Sequence, residues 1–158
     1  MNHSVIRKRF EESLRSQNLK FTAQRERIFE RSFLTHQHFT ADTLHSWLKE
    51  EEGAKVSRAT VYRTLRLLEE GGFIASVETG KGELVYEHVL GHRHHDHLIC
   101  LGCGKLEEFR NDTIERLQEE AAKSKGFTLV RHSLRLEGYC RSCERKREAA
   151  TAREAGTV

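Results

Sequence analysis

Apolar residues recur at helical spacing through the first seventy positions of the chain. Phe10 and Leu14 share one face of a first helix. Thr22 is placed to cap a second, in which Ile28, Phe29 and Phe33 form the apolar side. Thr40 is placed to cap a third, with Leu44, Trp47 and Leu48 as its stripe and Gly53 past its end. Ser57 opens a fourth helix that runs to the stop at Gly71-Gly72. The period then changes. Phe73 to Val77 and Leu84 to Glu87 are short strand-like runs around Thr79-Gly80-Lys81-Gly82, the pattern of a β-hairpin. Helices followed by a hairpin make a winged helix, a variant of helix-turn-helix.

Beyond this the pattern predicts strand (His97 to Cys100), Gly-rich turn, strand (Lys105 to Phe109), helix, strand. The helix has an Asn111/Asp112 cap, apolar Ile114, Leu117 and Ala121, and a Gly126 stop. Phe127 to Leu136 then alternates, with Phe127, Leu129, Leu134 and Leu136 apolar. The expected fold class is α+β: an N-terminal winged-helix domain over 1–87, a hinge over 88–93 and a small C-terminal α/β domain over 94–145. The Ala-, Glu- and Arg-rich segment 146–158 reads as a flexible tail, either a frayed helix or disordered.

Composition bounds the partners. The chain has 158 residues, 32% of them charged and 37% hydrophobic, and a mean hydropathy of −0.68. No apolar run can span a bilayer and no signal segment opens the sequence, so a cytoplasmic protein without a membrane partner is expected. There a C-x-x-C pair is more often a metal clamp than a disulfide. A net charge of +3 is too mild to argue for nucleic acid by itself. Its distribution says more, because basic residues load the first helices and Arg58, Arg63 and Arg66 load the fourth.

On a helical wheel, Val61, Leu65 and Leu68 fall on one side of that fourth helix, and Arg58, Tyr62, Arg63 and Arg66 spread over the other. Arginine can fork onto guanine or phosphate, tyrosine can pack against a thymine methyl, and the Ser57 and Thr60 hydroxyls can hold the backbone. A solvated amphipathic helix is the plainer alternative. The hairpin that follows favours a DNA-reading helix.

The densest chemistry lies in His92-Arg93-His94-His95-Asp96-His97-Leu98-Ile99-Cys100-Leu101-Gly102-Cys103. Cys100-x-x-Cys103 and Cys140-x-x-Cys143 account for every cysteine and offer two thiolates per turn, which suits a closed tetrahedral Zn2+ site. A redox dithiol would use one such pair, not two. Along a strand alternate residues share a face, so His95 and His97 point one way and His94 and Asp96 the other. One short segment can therefore feed two further sites, with Glu87, Glu107, Glu108, Glu115, His38 and His132 available as additional donors. Nitrogen and oxygen ligands without sulfur suit Fe2+, Mn2+, Co2+ or Zn2+.

The order of Ser57-Arg58-Ala59-Thr60-Val61-Tyr62-Arg63-Thr64-Leu65, then His94-His95-Asp96-His97-Leu98-Ile99-Cys100-Leu101-Gly102-Cys103-Gly104-Lys105, then Cys140-x-x-Cys143 resembles the ferric uptake regulator family of bacterial metal-responsive transcription factors. The resemblance runs unbroken from Asn18 to Cys143. It implies a homodimeric repressor, with a tetramer left open, whose C-terminal domain dimerises and whose N-terminal domain binds a double-stranded DNA operator. By position it implies a regulatory metal site of His38, Glu87, His95, His97 and Glu108, and an additional site of His94, Asp96, Glu115 and His132. It places Lys20 and Arg25 near the DNA backbone or minor groove, and Tyr62 and Arg63 in the major groove. Relatives that sense peroxide tend to carry aspartate where Glu87 and Glu108 stand, and zinc-sensing relatives often recruit a thiolate that this chain has already allotted. Both points favour Fe2+ as the regulatory metal, with a zinc-, manganese- or peroxide-responsive regulator of the same family as the alternative reading and Mn2+, Co2+ or Zn2+ as the ions that can replace iron. Two departures stand out: the segment from Glu87 to His94 is one residue longer than in common iron sensors, and no proline follows Lys20-x-Thr22.

Two other classes are weaker readings. A metalloenzyme would use the His/Asp/Glu cluster to activate water, but no His-Glu-x-x-His, nucleophile elbow or Walker loop is present. A metal-buffering protein would leave the winged helix idle. The chain is expected not to be an enzyme.

Overall fold

The structure, a computed structural model, describes residues 3–35, 37–51, 55–90 and 94–155. The chain divides into two compact units, one of Met1–Glu78 with Glu83–His92 and one of Thr79–Gly82 with Arg93–Val158. Gly53 and the hinge positions 91–93, His92 among them, lie outside the described residues.

The first unit begins with α1 (His3–Ser16), whose Ile6, Phe10 and Leu14 are spaced by four and all buried. Asn18, at φ 57°, ends it: Leu19 N–H donates to Leu14 O at 2.9 Å and Asn18 N–H to Arg15 O at 3.0 Å. Asparagine tolerates this left-handed turn because its short polar side chain bonds locally. The helices α2 (Ala23–Leu34), α3 (Ala41–Glu50) and α4 (Arg58–Glu70) start at the expected caps. Thr22, Thr40 and Ser57 oxygens accept from Arg25 N–H at 3.4 Å, Thr43 N–H at 3.0 Å and Thr60 N–H at 3.2 Å. Gly72, at φ 70°, terminates α4 as Phe73 N–H closes on Leu68 O at 2.9 Å.

The apolar sides of the four helices meet in one core. Phe10 stacks on Phe29 at 5.6 Å between centroids, and Leu44, Leu48, Val61, Leu65 and Leu68 are fully buried beside them. Burying each such side chain stabilises by about 2 kcal/mol. The hairpin forms as expected, β1 (Ile74–Glu78) against β2 (Leu84–His88), antiparallel with Ile74 opposite His88. Phe39 adds a third, one-residue strand by exchanging both backbone bonds with Tyr86, at 3.1 and 2.8 Å.

The second unit is a three-stranded sheet in the order β4-β3-β5, with β3 (Asp96–Cys100) antiparallel to β4 (Leu106–Phe109) and parallel to β5 (Arg135–Gly138). The parallel connection is made through α5 (Asp112–Ser124), whose first turn is capped by Asn111 Oδ1 accepting from Thr113 and Ile114 N–H at 3.0 and 3.3 Å. The alternation at Phe127 to Leu136 does not produce a strand over that span. The edge of β3 takes Arg135 to Gly138 instead, and Phe127 and Val130 stand exposed. Segment 146–155, expected as a tail, continues α6 (Arg141–Ala155). Its Ala, Glu, Arg and Lys are strong helix formers, and positions 156–158 lie outside the described residues. Among the described residues no helix is long and apolar enough to cross a membrane.

Candidate metal centres and reading helix

The four cysteines converge at one end of the sheet. Cys100 closes β3, Cys103 follows the tight turn, and Cys140 and Cys143 bracket the step from β5 into α6. The turn is pinned by Gly104 N–H on Cys100 O and Leu101 N–H on Gly138 O, both at 2.8 Å. All four thiols are free, and their sulfurs lie within 4.8 Å of one another. Cys103 and Cys140 Sγ are 3.9 Å apart. A tetrahedron of ~2.3 Å Zn–S bonds has edges of about 3.8 Å, so the spacing fits that ion.

The protonation of the thiols points the same way. Cys140 is pulled down to about 6, first by the Ser142 hydroxyl and then by the Cys143 backbone N–H. Cys143 is pushed up to about 12, first by the neighbouring Cys140 sulfur and then by burial. Four adjacent sulfurs cannot all ionise by themselves, and a divalent cation removes that conflict.

A second donor set lies wholly within the same unit. His94 Nε2 is 3.3 Å from Asp96 Oδ1 and 3.5 Å from Glu115 Oε1, and His132 Nε2 is 3.0 Å from Glu115 Oε2. Asp96 comes from β3, Glu115 from the first turn of α5 and His132 from the approach to β5. Asp96 is 1% exposed, and its two carboxylate oxygens, Glu115 Oε1 and His132 Nε2 are buried and make no hydrogen bond of good geometry, so the contacts above are close approaches of histidine and carboxylate. A carboxylate buried in this way is costly unless a cation meets it. Two nitrogens and two carboxylates fit a hard or borderline divalent metal.

The residues expected in the regulatory site fall into two groups, each inside one unit. In the first unit the Phe39–Tyr86 bridge makes His38 and Glu87 neighbours, and His38 Nε2 stands 3.3 Å from Glu87 Oε2. In the second unit the His95 and His97 rings are 5.0 Å apart, edge to face. Strand register sets Glu108 opposite His97, and Glu108 Oε1 is 3.8 Å from His95 Nε2.

On α4 the division expected from the wheel is present: Val61, Leu65 and Leu68 are buried, while Arg58, Tyr62, Arg63 and Arg66 are exposed. The Ser57 and Thr60 hydroxyls are engaged with each other at 2.9 Å in the cap. Lys20 is exposed, whereas Arg25 folds back and donates from Nη1 to Lys20 O at 2.5 Å. Arg25 therefore positions the Lys20 turn as well as carrying charge. Arg63 Nε bonds Ala59 O at 3.2 Å. Two participants were not expected from the sequence. Asp42 binds Arg58, and Ser142 bonds Cys140 Sγ at 3.1 Å. The serine inside Cys-x-x-Cys was a visible signal; Asp42 carried none, since an acidic residue in a helix's first turn is ordinary.

The sequence matches the Ferric uptake regulator family over residues 16–137. It is 39% identical to the ferric uptake regulation protein of Campylobacter jejuni, covering 93% of this chain and 94% of that one. The Helicobacter pylori ferric uptake regulator, whose structure reveals three functional metal binding sites, superposes with a TM-score of 0.77 at 30% identity, covering 91% and 95% of the two chains. The Pseudomonas aeruginosa ferric uptake regulator with manganese gives a TM-score of 0.71 at 33% identity, over 83% and 98%. Winged helix, cysteine pairs and donor sets thus occur together in a chain that belongs to the ferric uptake regulator family.

Proposed function

We propose that the protein is a metal-dependent, DNA-binding transcriptional repressor that responds to Fe2+ and controls iron-uptake genes. The observation that carries this reading is the sorting of donors. Four thiols gather in one place, while histidines and carboxylates gather elsewhere without sulfur. The first set suits permanent Zn2+, and the second suits an exchangeable cation.

In this reading Cys100, Cys103, Cys140 and Cys143 hold structural zinc, and His94, Asp96, Glu115 and His132 form an additional site. The regulatory set is His38, Glu87, His95, His97 and Glu108. Its ligands come from both sides of a hinge over 88–93, with the winged-helix domain on 1–87 and the dimerisation domain on 94–145. A bound divalent cation supplies charge that holds these donors together. His38 and Glu87 would carry that constraint to the DNA-binding domain, and His95, His97 and Glu108 to the other, selecting one arrangement from the ensemble. Tyr62 and Arg63 would then read the major groove, with Arg58, Ser57 and Thr60 at the helix start and Lys20 and Arg25 on the backbone or minor groove.

The protein acts as a cytoplasmic homodimer in this account. Leu98, Leu117, Phe127, Val130 and Leu136 of the second unit stand exposed in a single copy, which supports a self-association surface there. It binds and does not catalyse. Fluorescence anisotropy against operator-like duplex DNA tests the function, with Fe2+, Mn2+ and Zn2+ added after chelation. Affinity should fall on chelation and return most effectively with Fe2+. Specific binding indifferent to metal would contradict the proposal.

A further inference from the structure

Arg58 opens α4 at the start of its exposed basic face, yet its guanidinium is held by another group. Nε donates to Asp42 Oδ1 at 3.0 Å, and Nη2 reaches Oδ1 and Oδ2, each at 2.5 Å. Asp42 sits in the first turn of α3, so the pair joins the two helices of the helix-turn-helix. Both side chains are more than half exposed, at 62% and 54%. This is a solvated pair, strong enough to order a flexible side chain and weak enough to exchange.

The location makes the pair informative. A cation at a helix N-terminus opposes the helix dipole, so Arg58 does not serve the stability of α4. Arg58 and Tyr62 are one turn apart and share a face. Arg58 holds the Asp42 carboxyl below the usual carboxylate range, with smaller contributions from His45 and Tyr62. A carboxylate is thus lodged among the groups that would meet DNA. Carboxylate and phosphate offer the guanidinium fork the same paired oxygens, so they compete for it.

We propose that Asp42 is a brake on sequence-independent DNA binding, withholding Arg58 from phosphate until a site offers contacts that offset the exchange. This rests on the DNA-binding reading above. Random duplex supplies phosphates and little else, so loss of the carboxylate is not compensated there. At a specific site, contacts from Tyr62 and Arg63 to base edges add to the balance.

The test uses the full, metal-loaded chain and a random-sequence DNA duplex, followed by anisotropy across a salt series. Asp42→Asn should bind this duplex more tightly and more steeply in salt. One added phosphate contact per bound protomer widens the affinity ratio between about 50 and about 200 mM salt roughly threefold. In an Arg58→Ala background the same substitution should lose most of that gain, because the released group is absent. Circular dichroism of each variant checks that the helices persist. Wild-type binding with an unaltered Asp42→Asn salt slope overturns the brake alone, as does an equal gain in both backgrounds. A chain that binds no duplex in any metal state overturns the DNA reading and the brake with it.

Discussion

The buried positions of the two units contain different chemistry. In the first unit they are occupied by Phe10, Phe29, Phe39, Leu44, Leu65 and their neighbours, contributed by four helices and the hairpin. In the second, the buried residues of β3 are Asp96, His97, Ile99 and Cys100, while α5 buries nothing and β5 is exposed throughout. The first unit is stabilised by removing apolar surface from water. The second has spent most of its interior on donor atoms, and a small sheet with so thin a core needs ligands or a partner chain to stay ordered. The first unit, although it supplies His38 and Glu87 to the proposed regulatory set, is therefore expected to keep its shape without metal, while the second is expected to depend on it.

The largest expected effect falls on the second unit. Structural zinc contributes roughly 10–16 kcal/mol in small zinc-bound folds, so Cys103→Ser should release about one equivalent of zinc and unfold this unit first. Zinc content and thermal melting check it. A zinc-free variant with unchanged melting would remove the structural role. Phe29→Ala attacks the other side of the comparison. A fully buried phenylalanine lost to a cavity costs about 3–5 kcal/mol, and denaturant unfolding of the first unit should show that loss equally with and without chelator.

A smaller and more diagnostic effect is expected from Asp96→Asn. Neutralising a buried carboxylate that makes no hydrogen bond removes a desolvated charge and should raise the melting temperature of the chelated protein, while weakening the metal-loaded form. Melting curves of variant and parent, each with and without metal, should therefore change order. The same order in both conditions would argue against a cation at this site. The smallest effect is Gly72→Ala. Nothing crowds the added carbon, so only the left-handed backbone opposes it, at about 1 kcal/mol. The loss should be confined to the first unit and independent of metal.

What was legible in the sequence was local. Thr22, Thr40 and Ser57 each lie within three residues of the N–H they cap, and the stripe of Val61, Leu65 and Leu68 follows from helical periodicity alone. The gathering of Cys100, Cys103, Cys140 and Cys143 could be read because each pair is fixed by its own turn. Partners set by tertiary structure were not legible. The alternation from Phe127 suggested a strand, but which residues pair is decided by the free edge of β3, and that edge takes Arg135 to Gly138. The bond that Arg25 makes to the Lys20 carbonyl was likewise not foreseen. Asp42 gave no sign of its partner sixteen residues away.

Hydrogen–deuterium exchange of the full chain, metal-loaded and then chelated, addresses the contrast between the units most directly. Exchange reports local opening free energies along the backbone. Chelation should strip protection from the amides of β3, β4 and β5 while those of α2 and α4 keep theirs. Equal loss in both units, or protection retained in both, would contradict the claim that metal holds one unit together and an apolar core the other.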